Sequence, residues 1–85
     1  MAGGTAPPDR GIVRVVWQDA EPARFCWRGR WRKVMRVQEV WVDAGHWWAG
    51  EKPAWFYRVA TAEGVYELAA VGSGAASARV YRVYD

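Results

Sequence analysis

His46 stands between Asp43 and Glu51, and either carboxylate could orient its imidazole as a general base, while Cys26 is the lone thiol and so the lone cysteine nucleophile. Neither grows into a catalytic constellation. Cys26 is flanked by Phe25 and Trp27 in a segment with strand character, far from His46 in the chain. No phosphate-binding Gly-rich motif, paired-carboxylate signature or metal-ligand spacing accompanies them. One His and one Cys fall short of the four N or S ligands of a structural zinc, and a single Cys forms no internal disulfide. The residues therefore argue against an enzyme and call for no metal or other cofactor. His46 reads as a loop histidine.

The residues that could bind are denser. Arg24 to Arg36 holds six of the twelve basic residues (Arg24, Arg28, Arg30, Arg32, Lys33 and Arg36) and no acidic one, with Trp27 and Trp31 set inside that charge. Cations interleaved with indoles suit a nucleic-acid surface: Arg28, Arg30, Arg32, Lys33 and Arg36 would meet the nucleic acid's phosphates while Trp31 or Trp27 offers a face to a base. A solvated hairpin with two core tryptophans would show the same pattern, and both readings stay open. Trp47-Trp48 is the second candidate, as an anchor for a protein partner or as a plug over one end of the domain. Ten of the twelve cations are Arg, alongside abundant Ala, Gly, Val and Trp; a GC-rich genome would give that bias without functional pressure.

Eighty-five residues make one domain. Seven Trp, four Tyr and two Phe are more aromatic surface than so small a core easily hides, since a chain this short buries only about 60% of its unfolded surface. Some rings must remain exposed, and exposed aromatic clusters mark interaction sites. The net charge of +3 and the pI near 9.4 give weak overall steering, so the uneven distribution matters more. There is no membrane-length apolar run and no signal-like N-terminus, which predicts a cytoplasmic protein that does not enter the membrane.

The elements that must position these residues are strands. Residues 1–10 read as a disordered arm, and 11–85 as the domain. Apolar, β-branched or alternating runs predict strands over Gly11–Trp17, Ala23–Arg28, Arg30–Val42, Ala54–Thr61, Val65–Val71 and Arg79–Tyr84. Between them lie turns at Asp19–Pro22, Arg28-Gly29, Asp43–Gly45, Ala62–Gly64 and Gly72–Ser77. Phe25, Trp27, Trp55, Tyr57 and Tyr66 fall on core-facing positions. Val34, Val37 and Val40 repeat every three residues, a helix-like spacing inside a Val-rich strand, which predicts a bulge or bend near Arg32-Lys33. The expected fold is all-β: a small antiparallel meander of about six strands, rolled or closed into a barrel to manage its edges.

With RFCWRGRW, VWVDAGHWW, FYRV, GVYEL and VYRVYD in succession, the stretch Arg24 to Asp85 resembles an uncharacterised small Trp-rich bacterial domain family. That family occurs alone and at the C-terminus of Y-family DNA-polymerase-like mutasome proteins. The resemblance implies a context of DNA damage tolerance and no catalytic residue. The combined expectation is a non-enzymatic binding module for nucleic acid, with DNA, single-stranded in particular, as the leading partner. The alternatives are a protein-interaction module using exposed tryptophans and a homodimerising domain.

Overall fold

A computed structural model describes residues 11–45, 49–50, 52–72 and 74–84. The expected N-terminal arm, His46, the Trp47-Trp48 pair and Glu51 lie outside the described residues. Seven strands follow one another: β1 (Ile12–Gln18), β2 (Glu21–Trp27), β3 (Arg30–Lys33), β4 (Arg36–Asp43), β5 (Ala54–Thr61), β6 (Gly64–Ala70) and β7 (Ser77–Tyr84). They form one antiparallel sheet in the order β3-β2-β1-β7-β6-β5-β4, curled into a half-barrel. No α-helix occurs among the described residues, and none of their segments is a helix long and apolar enough to cross a membrane.

Tight turns set the register of the two halves. Arg28 (φ 54°) and Gly29 (φ 78°) make the two-residue connection between Trp27 and Arg30, which face each other. Positive φ at both central positions gives a turn whose twist matches that of the flanking strands. Asp19 (φ 54°) and Ala20 (φ 65°) do the same between Gln18 and Glu21, although neither is glycine. Pro22, expected in that turn, lies instead within β2. Gly64 is obligatory at the β5–β6 turn: a Cβ there would meet the Tyr84 carbonyl oxygen at 2.8 Å.

The sheet has seven strands rather than six because Arg30–Val42 divides. The Val34 N–H donates to the Ala23 carbonyl (2.9 Å) and the next N–H, of Met35, donates to the Ala60 carbonyl (2.7 Å). One residue therefore ends the pairing with β2 and the next begins the pairing with β5. The chain leaves one edge of the sheet and becomes the other, leaving a seam between β3 and β4. The expected bend is real but sits two residues later, at Val34-Met35. The three-residue valine spacing has a separate cause. Val37 pairs with Val59 and Glu39 with Arg58, so Gln38 is an extra residue and Val37 and Val40 face the same side.

Inside the curl, Val13, Val15, Phe25, Tyr57, Val59, Tyr66, Leu68, Ala70 and Ala78 form the main core. Edge-to-face contacts tie its rings: Phe25 to Tyr66 (5.1 Å), Trp17 to Tyr57 (5.3 Å) and Trp27 to Tyr66 (6.4 Å between centroids). Each such pair adds about 1 kcal/mol to the area it buries. The Trp17 indole N–H donates to the Ala75 carbonyl at 2.6 Å, satisfying the one polar atom of a half-buried ring. Phe25, Trp27, Tyr57 and Tyr66 thus reach the core as expected, but Trp55 does not and stays 38% exposed. It is the second residue of β5, between the small core residue Ala70 and the exposed Val42, and neither neighbour covers an indole.

Candidate functional site

Strand alternation divides the basic hairpin between two faces. Arg24 faces Lys33, Phe25 faces Arg32 and Cys26 faces Trp31. Residues directly opposite share a face, so Arg24, Cys26, Trp31 and Lys33 project outward while Phe25 and Arg32 project inward. On β1 the same alternation sends Val13 and Val15 into the core and Ile12, Arg14 and Val16 outward. The outer face of β1, β2 and β3 therefore carries Arg14, Arg24, Trp31 and Lys33 as neighbours, with Arg28 and Arg30 at the hairpin tip.

Trp31 is the centre of this face. It is 48% exposed, and the guanidinium carbons of Arg14 and Arg24 lie 5.6 and 5.5 Å from its ring centroid. An indole flanked by cations is attracted to them through its quadrupole, by about 0.5–1 kcal/mol per contact at an exposed site. Arg14, Arg24, Lys33 and Arg36 form no ion pair among the described residues. Arg28 lies over Trp27 at 5.1 Å, and it too has no carboxylate partner among the described residues.

Two of the expected contact residues are placed differently. Arg30 is exposed but paired loosely with Glu63 at 3.7 Å. Arg32 is turned into the barrel, its side chain only 10% exposed. Its Nη1 donates to the Tyr66 hydroxyl (3.1 Å), its Nη2 donates to the Trp27 carbonyl (3.4 Å), and its guanidinium carbon lies 5.8 Å from the Tyr66 ring. Arg32 thus braces the hairpin against β6 rather than standing on the surface. Arg36 is exposed on β4, across the seam from the Trp31 face. Arg14, on a strand read only for its apolar content, was the residue that sequence reasoning missed. Its outward position follows from alternation with Val13 and Val15, but its approach to Trp31 depends on β2 lying between β1 and β3.

A second aromatic and charged face covers the outside of β4–β7. Trp41 stacks on Phe56 (5.3 Å, 7° between planes), and Tyr81 meets Phe56 edge-on at 5.0 Å. Phe56 is 1% exposed, so the outside of the sheet carries a small core of its own with Ala54 and Ala69. Beside it Glu67, buried to 3% exposure, accepts from Arg58 Nε (3.0 Å) and from the Tyr84 hydroxyl (2.8 Å), and pairs with Arg58 Nη2 (2.9 Å) and Arg82 (3.9 Å). Glu39 takes Arg58 Nη1 at 3.0 Å. The Glu67 hydrogen bond, with the charges of Glu67 and Glu39, pushes the Arg58 guanidinium above its already high ordinary value.

Of the catalytic candidates, Cys26 and Asp43 fall among the described residues. Cys26 is half-buried beside Trp31, and the Asp43 carboxylate accepts from the Ala44 N–H at 2.9 Å. Among the described residues no group of three His, Cys, Asp or Glu side chains could hold a metal ion. Burial lifts the Tyr57 phenol above its ordinary value, helped by the Glu21 carboxylate, as befits a packed core ring.

Comparison with known proteins gives one match. Residues 13–84 fit the family model described as "Domain of unknown function (DUF6504)". No curated protein and no solved structure matches. The matched span runs from the second residue of β1 to the last of β7, the whole curled sheet with both of its outer faces, and the chain therefore belongs to the DUF6504 family.

Proposed function

We propose that this domain is a non-enzymatic module that binds single-stranded nucleic acid, DNA in particular, on the outer face of β1, β2 and β3. One observation carries the reading: Trp31 is half exposed between the guanidiniums of Arg14 and Arg24, and among the described residues no carboxylate pairs with either. A flat π surface ringed by uncompensated cations supplies both terms that such binding uses, base stacking and phosphate attraction. Arg14, Arg24, Arg28 and Lys33 are the phosphate contacts and Trp31 is the stacking platform. A role in DNA damage tolerance is the context that the family resemblance of Arg24 to Asp85 implies, and we place that role in the cytoplasm.

The test is fluorescence anisotropy of an end-labelled single-stranded oligonucleotide at two salt concentrations. Four phosphate contacts give a log–log slope near −0.7 each, so affinity should fall about 50-fold between 50 and 200 mM salt. Trp31→Ala should weaken binding by about 1–3 kcal/mol, the usual contribution of one stacked base, with an unchanged circular dichroism spectrum. No binding at 50 mM salt, or binding indifferent to Trp31, sinks the proposal.

A protein partner is the second reading, and a different observation favours it. Val40 and Val42 are exposed on β4, a strand at the edge of the sheet. An edge strand is where a partner chain adds by β-pairing. Such binding would be largely indifferent to salt. The other copy of the domain is one such partner, and sedimentation showing a monomer would remove it.

A further inference from the structure

We propose that the cleft where β3 crosses to β4 receives an unpaired nucleotide, with Trp31 as the wall it shares with the stacking face; this rests on the nucleic-acid reading above. The cleft has a volume of about 750 Å³ and is bounded by the end of β1, the start of β2, β3 and the crossover Val34-Met35. That is within the range of about 300–1,000 Å³ usual for small-molecule sites. It exists because β3 and β4 do not pair and the chain crosses the seam instead.

Its lining is apolar in the middle and of mixed charge around it, with Arg24, Arg32, Lys33 and Arg36 outnumbering Asp19 and Glu21 at the β1–β2 turn. Val16, Val34, Met35 and Val37 supply the apolar surface, and Met35 is 65% exposed. Lys33 and Arg36 flank the crossover on either side, both without an ion-pair partner among the described residues. Arg32 adds a second, independent sign. Its side chain is nine-tenths buried and lines the cleft, yet its Nε finds no acceptor among the described residues. Its nearest carboxylate, Glu63, stands at 3.9 Å and is shared with Arg30. A buried guanidinium so weakly compensated leaves positive potential in the low-dielectric wall of the cleft, where it acts at greater strength than in water.

An apolar slot lined by four cations against two carboxylates carries net positive charge and fits a ligand with a flat apolar body and an anionic group attached, which is a nucleotide. Because Trp31 lines both surfaces, a strand can stack one base on the indole and seat the next in the cleft, its phosphate between Lys33 and Arg36. Bases stacked within a duplex cannot enter. The cleft therefore makes the domain selective for unpaired strands.

Titrating the protein with the single strand (dT)8, observed by NMR at the Trp31 indole and at the methyl groups of Val34, Met35 and Val37, tests this. Shifts at the indole and at the methyls are expected. Shifts at the indole alone overturn the cleft while leaving the surface reading in place, and shifts at neither overturn both. A pair of charge-matched variants gives the second measurement. Met35→Glu puts an anion in the cleft at an exposed position, and Gln38→Glu puts the same charge on β4 outside its lining. Met35→Glu should weaken (dT)8 about tenfold more than Gln38→Glu; equal weakening overturns the proposal.

Discussion

The two outer faces of this sheet are built from the same ingredients and come to opposite ends. On β4–β7, Trp41, Phe56 and Tyr81 pack on one another, and Arg58 lies 5.7 Å from the Trp41 ring and 5.8 Å from the Tyr84 ring. On β1–β3, Trp31 stands nearly alone between Arg14 and Arg24. The decisive difference is a carboxylate. Glu67, with Glu39 beside it, absorbs the charge of Arg58 and Arg82 on the first face, while on the second no acidic side chain pairs with Arg14, Arg24 or Lys33 among the described residues. Aromatic and cationic residues become structure where an anion and other rings complete them, and remain open to a ligand where nothing does.

This comparison can be broken at its strongest point first. Phe56→Ala should lower stability by about 3–5 kcal/mol, because it empties the small core on the outside of the sheet. Thermal or urea unfolding checks it, and a loss below about 1 kcal/mol would mean that this face is not packed. Glu67→Gln keeps the shape of the side chain and removes its charge. It should cost about 2 kcal/mol in unfolding free energy, the order of a charge-assisted hydrogen bond lost in a buried setting. It should also create weak, salt-sensitive oligonucleotide binding on β4–β7, which anisotropy in a Trp31→Ala background would detect.

The converse change sharpens the same point on the other face. Arg24→Glu supplies the carboxylate that β1–β3 lacks, beside Arg14 and Lys33. Oligonucleotide affinity should fall about tenfold or more, through a lost phosphate contact and a new repulsion, while stability stays within about 0.5 kcal/mol of the parent at this exposed site. The smallest effect expected is alkaline. The Tyr57 phenol titrates above its ordinary value near 10 because it is buried and faces Glu21. A raised folded-state value favours the neutral form in the native protein, so its contribution is complete below about pH 10 and is lost as pH climbs through the range above that. Unfolding curves of Tyr57→Phe should fall off less steeply over that range than those of the parent.

Much of the scaffold was legible in the chain. The β-branched and alternating runs gave the all-β class, and Arg28-Gly29 marked the hairpin because a two-residue turn wants positive φ at both positions. Local preference does not reveal which neighbour a residue will pair with, and for that one reason it does not show that the Asp19–Pro22 turn closes within two residues or that the Arg30–Val42 run divides into two strands. Nothing local to Val34 and Met35 shows that one bonds β2 and the other β5. The candidate site was legible only in outline. Period-two alternation about Phe25 and Trp27 puts Arg24 outward, but Arg32 could be assigned to the interior only once its opposition to Phe25 was known.

The sequence by itself determined that this is a small β domain with too many aromatic rings to bury and a basic segment set among them. Those properties follow from composition and local periodicity, which need no knowledge of what lies across the sheet. Only the tertiary structure decided which rings stay open and which cations stay unpaired. Placing β1 beside β2 brought Arg14 to Trp31, and placing β6 between β5 and β7 brought Glu67 to Arg58 and Arg82. Charge neutralisation and ring packing are pairwise and long-range in the chain, so the fate of each Trp and Arg was fixed by strand order and register.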